Sequence, residues 1–254
     1  MNSWESEAKK MASHSLTQLV KMSNNLGHPA NDYVILGEGN TSAKIDEETF
    51  WVKASGAELR TIGPESFLQV YFERVLAMLG GPDLSDEEIK QALVEAKVDP
   101  QAKGHPSVET VLHAICLKLD GVNFVGHTHP TTINVLTCSA AFETAVSGRL
   151  FPDEIVVCGP APVVVPYIDP GLPLAREIYR RLEVYSDSYG EPAKTILIQN
   201  HGFIALAPST QQVENITAMA VKTARILAGE TVEVPEVRAA ICDWRCSLKS
   251  PLDR

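Results

Sequence analysis

Residues 123–139 read "NFVGHTHPTTINVLTCS". A short apolar stretch runs into two histidines one residue apart, and Pro130 then stops it. The pattern predicts a strand over 123–129 followed by a helix from 130. In a strand, side chains two apart share a face, so His127 and His129 stand side by side where the strand ends. Two imidazoles held that way suit a divalent metal, although a lone His-x-His pair is a weak signal, since most histidines in proteins are not ligands.

Outward from this stretch, strand-like and helix-like segments alternate. Helical spacing is expected over 5–26, ending at Gly27, over "ESFLQVYFERVLAML" (65–79), and over "DEEIKQALVEA" (86–96). Further helices are expected over "PSVETVLHAICLKL" (106–119), "PLAREIYRRLEVYSDSYG" (173–190) and "STQQVENITAMAVKTARILAG" (209–229). Strands are expected at "DYVILGEG" (32–39), "TSAKID" (41–46), "TFWVKAS" (49–55), "EIVVC" (154–158), "PVVVPYI" (162–168), "TILIQN" (195–200) and "GFIALA" (202–207). Many connections are too short for parallel crossovers. The expected fold is therefore α/β, with a largely antiparallel or mixed sheet covered by helices on both faces.

The chain has 254 residues and a formal net charge of -10 at pH 7. No Lys/Arg cluster stands out against that charge, which argues against a nucleic-acid partner. No segment reaches the apolar length of a membrane span, and the first twenty residues lack the apolar core of a signal peptide. The five cysteines (Cys116, Cys138, Cys158, Cys242, Cys246) are scattered, mostly within apolar runs, and read as reduced, buried thiols of a cytoplasmic protein. The division expected is an N-terminal helix packed on the domain (1–31), the main domain (32–229), and a tail without periodicity (230–254), a candidate for a subunit interface.

His201, in "LIQNHGFIALA", also stands where an apolar strand meets a turn, and is a candidate third ligand. Three nitrogens with an open fourth position is the arrangement of a catalytic zinc. A turn histidine bonded to backbone is the alternative. Glu109, in the expected first helical turn after Pro106, suits either a plain helix-start carboxylate or a general acid/base near the metal. Ser107 offers a hydroxyl and an N–H at the same helix start. "GEGNTS" (37–42) and "KASGA" (53–57) are turns able to cradle an anion, or simple hairpin turns.

Taken in chain order, the Gly-Asn-Thr-Ser turn, the Ser-Gly-Ala turn, the Pro-Ser-x-Glu step, the His-x-His strand and the Asn-His-Gly turn form a pattern. The sequence resembles the class II aldolase/adducin-domain family, which includes fuculose-phosphate and rhamnulose-phosphate aldolases and ribulose-phosphate 4-epimerase. The resemblance runs from about Asp32 to Gly229. It implies a three-layer α/β/α sandwich, usually a homotetramer with active sites between subunits. It gives Zn2+ to His127, His129 and His201 and proton transfer to Glu109, in cleavage of a ketose phosphate or related hydroxy-ketone through a metal-bound enediolate. Asn40, Ser55, Gly56 and Ser107 match positions that bind a substrate phosphate, and Lys53 is a further candidate for phosphate or carboxylate. Zinc is the expected ion, with another divalent metal as the alternative.

Val108 departs from the family by standing where the aldolases commonly have a second serine. The tail also has no tyrosine after Tyr189, where the aldolases bring one from a neighbouring subunit. The 4-epimerases carry aspartate at the place of Glu109, so glutamate tilts the reading toward carbon–carbon cleavage or decarboxylation of a 3-keto sugar acid. The adducin branch, a non-catalytic contrast, lacks the zinc histidines.

Overall fold

The computed structural model describes residues 3–229; the tail with Cys242, Trp244 and Cys246 lies outside them. A sheet of seven strands, β1 (Asn40–Lys44), β2 (Thr49–Lys53), β3 (Phe67–Tyr71), β4 (Phe124–Thr128), β5 (Val163–Val165), β6 (Thr195–Ile198) and β7 (Gly202–Ala207), runs in the order β3-β2-β1-β4-β7-β6-β5. All neighbours pair antiparallel except β5 with β6. The helices are α1 (Ser3–Leu26), α2 (Phe72–Leu76), α3 (Asp86–Glu95), α4 (Thr110–Leu117), α5 (Thr131–Thr137), α6 (Phe142–Ala145), α7 (Pro152–Cys158), α8 (Leu172–Tyr189) and α9 (Thr210–Gly229).

Successive strand residues feed two separate cores, which makes the molecule an α/β/α sandwich. Val125, Ile196, Ile198, Ile204 and Leu206 join Val111, Leu112 and Ile115 of α4 and Ile178 and Leu182 of α8 on one face. Phe124, Phe203, Ala205 and Ala207 join Leu19, Met22 and Leu26 of α1, Ile133 of α5 and Val213 and Ile216 of α9 on the other. A sheet buried on both faces has apolar strands without clean alternation, the pattern that made the strands legible.

Three of the expected segments fail, each for its own physical reason. Residues 32–39 are not a strand: Asp32, Leu36 and Gly39 all have positive φ, which extended backbone excludes, and a short 3-10 turn at Pro29–Asn31 precedes them. Of the helix expected over 65–79, the first part is β3, whose five residues pair with β2 from Thr49↔Tyr71 to Lys53↔Phe67. Short apolar runs fit both periods, and here the neighbouring strand decides. "EIVVC" belongs to helix α7, which begins at Pro152 and carries Asp153 and Glu154 in its first turn. Those are helix-start residues, and Glu154 is fixed there by Arg149 (3.1 Å) and the Leu150 N–H (2.7 Å).

Among the described residues, no helix is long and apolar enough to cross a membrane. Cys116 and Cys158 are buried free thiols, whereas Cys138 is exposed, against the expectation drawn from its apolar surroundings.

β4 lies so close to α9 that residue 126 has no room for a side chain. A Cβ there would stand 2.6 Å from Val213 Cγ1 and 3.1 Å from Leu26 Cδ1. Gly126→Ala is therefore expected to lower stability by about 1–3 kcal/mol, the usual range for overpacking. Thermal unfolding checks this, and an unchanged midpoint would refute such close packing.

Candidate metal centre

β4 is hydrogen-bonded on both sides, with Asn40 of β1 opposite His127 on one side and Ile204 of β7 opposite it on the other. His127 shares the sheet face of Val125, which is the face α4 covers. His129 follows the strand end, where its backbone N–H donates to Tyr33 O (2.8 Å). His201 comes from the tight β6–β7 connection, whose Asn200 has a φ of 53°. Left-handed backbone at an asparagine is tolerated, and it turns the chain so that His201 faces the β4 histidines.

The three Nε2 atoms converge. His127 Nε2 lies 3.0 Å from His129 Nε2 and 3.3 Å from His201 Nε2. Glu109 Oε1 adds a fourth atom, 3.0 Å from His201 Nε2 and 3.6 Å from His127 Nε2. Zn–N bonds of about 2.0–2.1 Å at tetrahedral angles give edges of roughly 3.3 Å. The separations of 3.0–3.6 Å between these donors are of the size such a cage requires. Among the described residues these histidines form the group able to hold an ion, with ligand atoms within 4.8 Å of one another.

The tautomer of His127 follows from its other nitrogen. Nδ1 lies 3.1 Å from Phe203 O, a pure acceptor, so Nδ1 carries a proton, and a second proton or an ion must bind at Nε2. Glu38 Oε2, held by the Ile35 N–H (3.1 Å), stands 3.8 Å from His129 Nδ1. That is beyond hydrogen-bond length but favours a proton on the same nitrogen.

Burial alone would drive the Glu109 carboxyl upward. The charge of His127, and the His127 and His201 imidazoles that face its Oε1, outweigh it and hold Glu109 well below the usual carboxylate range. Burial would lower His127, yet Glu109 raises it. His129 is pushed down to about 3, first by burial and then by its two histidine neighbours. Metal ligation needs neutral imidazoles, so a cation competes with the proton that Glu109 favours on His127.

The remaining candidates gather beside this centre. Ala54 bridges Pro106, which sets the Ser55–Gly56 turn against Ser107, and a Cβ on Gly37 would lie 3.5 Å from Gly56 O. Ser107 Oγ is buried without a hydrogen-bond partner, while the Ser55 N–H is already given to His105 O (2.8 Å). Gly56 is exposed with a φ of 79°. Lys53 is buried, and its Nζ donates to Ala57 O (2.6 Å) and Gly37 O (3.2 Å), tying the two glycine turns together. Val108 packs against the core, away from a second-serine role. Glu109 precedes α4 as its cap residue and is not in its first turn, and it makes no capping bond, which leaves both oxygens for the site.

Sequence reasoning missed His113. It lies one turn after Glu109 in an α4 that is otherwise apolar apart from Thr110 and fully buried, and a lone histidine in such a run was the available signal. It contacts Asn40 and Ser42, and burial holds it down at about 3.

The family described as the class II aldolase and adducin N-terminal domain matches residues 17–228. The N-terminal class II aldolase domain of a conserved protein from Thermoplasma acidophilum is similar at 26% identity with a TM-score of 0.64, over 82% of this chain and 91% of that one. An L-fuculose 1-phosphate aldolase shares the fold at 19% identity with a TM-score of 0.63, over 92% and 97%. An uncharacterized oxidoreductase, YuxG of Bacillus subtilis (strain 168), is 26% identical over 244 residues. That match takes in 92% of this chain, which spans about a third (32%) of the relative's length.

Residue 202 must be glycine for the imidazoles to meet. A Cβ would stand 2.6 Å from His129 Cδ2 and 3.3 Å from His127 Cε1. Gly202→Ala is expected to weaken Zn2+ binding about 10–100-fold, as displaced supporting groups do, in a chelator competition. Unaltered affinity would contradict the geometry. A second prediction concerns acid stability. Near pH ~6.5 the unfolded chain protonates His113, but the folded one does so only at about 3. Between these values the unfolded state binds more protons, so stability falls as pH falls. His113→Gln is expected to reduce that slope by about one proton, roughly 1.4 kcal/mol per pH unit; equal slopes would show free protonation in the fold.

Proposed function

The chain belongs to the class II aldolase and adducin N-terminal domain family, and from that premise we propose a metal-dependent aldehyde-lyase that cleaves a ketose phosphate or related hydroxy-ketone. The observation that carries this reading is the meeting of three imidazole Nε2 atoms with the Glu109 carboxylate. His127, His129 and His201 would hold the ion, with Zn2+ favoured because the donors are nitrogens at tetrahedral spacing. When bound, such an ion polarises a carbonyl and makes the neighbouring C–H acidic.

Glu109 is the proton-transfer group in this reading. Its Oε1 faces the histidines, and its Oε2 accepts from Asn40 Nδ2 (2.6 Å), so the carboxylate is oriented before substrate arrives. Ser107 Oγ, with no partner of its own, and the open Gly56 backbone offer hydrogen bonds to an anionic group on the substrate. Lys53, held between the same two turns, supplies positive charge there. Asn40 and Ser55 have roles that support the pocket: Asn40 orients Glu109, and Ser55 holds the turn through its N–H.

A homotetramer is part of the same reading. Ile35 and Leu36, 60% and 78% exposed on the loop that carries Glu38, offer apolar surface for subunit contact.

Glu109→Gln is expected to keep about one Zn2+ per chain and to slow exchange of the substrate's α-proton into heavy water by about 10²–10⁴-fold. Persistent exchange would remove Glu109 from this role. The assay is a panel of phosphorylated and acidic ketoses with and without a chelator. Release of an aldehyde supports the lyase; carbon dioxide release or inversion without cleavage would reassign the reaction to a decarboxylase or an epimerase.

A further inference from the structure

A buried chain of hydrogen bonds leads away from Glu109 into the fold. Asn40 Nδ2 lies 2.6 Å from Glu109 Oε2, Asn40 Oδ1 meets His113 Nε2, and His113 Nδ1 lies 2.7 Å from Ser42 Oγ. Asn40, Ser42 and His113 are all at most 4% exposed. We infer that His113 is a positioning residue, which acts through Asn40 to fix the orientation of the Glu109 carboxylate. The inference rests on the proposed role of Glu109 and adds to it a residue outside the centre.

The direction of each proton follows from donor chemistry. An ionised carboxylate only accepts, so the amide face toward Glu109 must be the NH2 group. The amide oxygen then points at His113, so Nε2 must carry the hydrogen. Nδ1 is left with its lone pair and accepts from the Ser42 hydroxyl. This order needs a neutral ring, and burial keeps it neutral. Each polar atom in the chain thereby has one allowed role, so the network holds a single arrangement.

Without His113 the Asn40 amide loses the group that sets its face. A flipped amide would turn its oxygen toward the carboxylate, and the repulsion between them would swing Glu109 off the histidines. β1 supplies the rest of the alignment: Asn40 is paired with His127 in the sheet, so its backbone is fixed relative to the metal ligands and the amide face is the remaining freedom. Neighbouring Thr41 has its hydroxyl on Ser23 Oγ (2.7 Å), pointing to the opposite face toward α1, so it cannot substitute for Ser42.

The test uses the full chain loaded with Zn2+. In long-range 1H–15N spectra of histidine-labelled protein at neutral pH, His113 is expected as the Nε2–H tautomer; a proton on Nδ1, or a charged ring, overturns the inference whatever the reaction proves to be. His113→Gln keeps an N–H close to the place of Nε2 and is expected to retain α-proton exchange of dihydroxyacetone phosphate, the smallest hydroxy-ketone phosphate, within about threefold. His113→Leu is expected to lower that exchange about 30-fold, mostly in kcat, with the Zn2+ stoichiometry retained. In an Asn40→Ala background the same leucine substitution is expected to cost nothing further, whereas additive losses would show that His113 does not act through Asn40. Should the leucine chain fail to fold, the tautomer and the glutamine variant decide. If the wild-type chain binds Zn2+ and exchanges no hydroxy-ketone, the proposed function fails while the tautomer result still judges this one.

Discussion

Every part of the site depends on the pairing of β4 between β1 and β7. That strand is completely buried and bonded along both edges, so its residues have almost no freedom to slide or turn. A register slip of one residue would send His127 to the α9 face. The two registers also fix the partners: Asn40 lies opposite His127, and β7 brings in the turn that carries His201. Gly126 and Gly202 are two of the places where this packing leaves no space for a side chain.

The electrostatics follow from that rigidity. A carboxylate buried among imidazoles would be costly alone, and it is stabilised here by the histidines it faces and by the Asn40 amide. The same arrangement holds His129 and His113 neutral and favours a proton on His127. A cation entering the centre takes over the role of that proton, because both bind the same lone pair. Affinity for the ion and the state of Glu109 are therefore linked properties of one cluster.

The sequence was readable where a segment's own residues decide its conformation. Ser85 and Glu88 form the capping box at the start of α3, and the helical spacing of 173–190 and 209–229 matches α8 and α9. It misled where a neighbour decides. Phe67–Tyr71 has apolar residues that fit a helix equally well until β2 pairs with them, and 32–39 is rich in strand formers held in turns by positive φ. The α7 error was of another kind, since Pro152, Asp153 and Glu154 marked a helix start that β-branched Ile155, Val156 and Val157 obscured.

For the site, the order of the five motifs and the face shared by His127 and His129 came from the chain itself, because strand periodicity and motif spacing are local properties. The family, the class of fold and the candidate ligands were legible on that basis. Only the tertiary structure could place His201 beside a pair of histidines more than seventy residues earlier, turn Glu109 Oε1 toward them, bind Lys53 to carbonyls within the fold, and connect His113 to Glu109 through Asn40. Those are contacts between distant segments, set by sheet order and register, and no local pattern in a sequence encodes which side chains such a fold brings into contact.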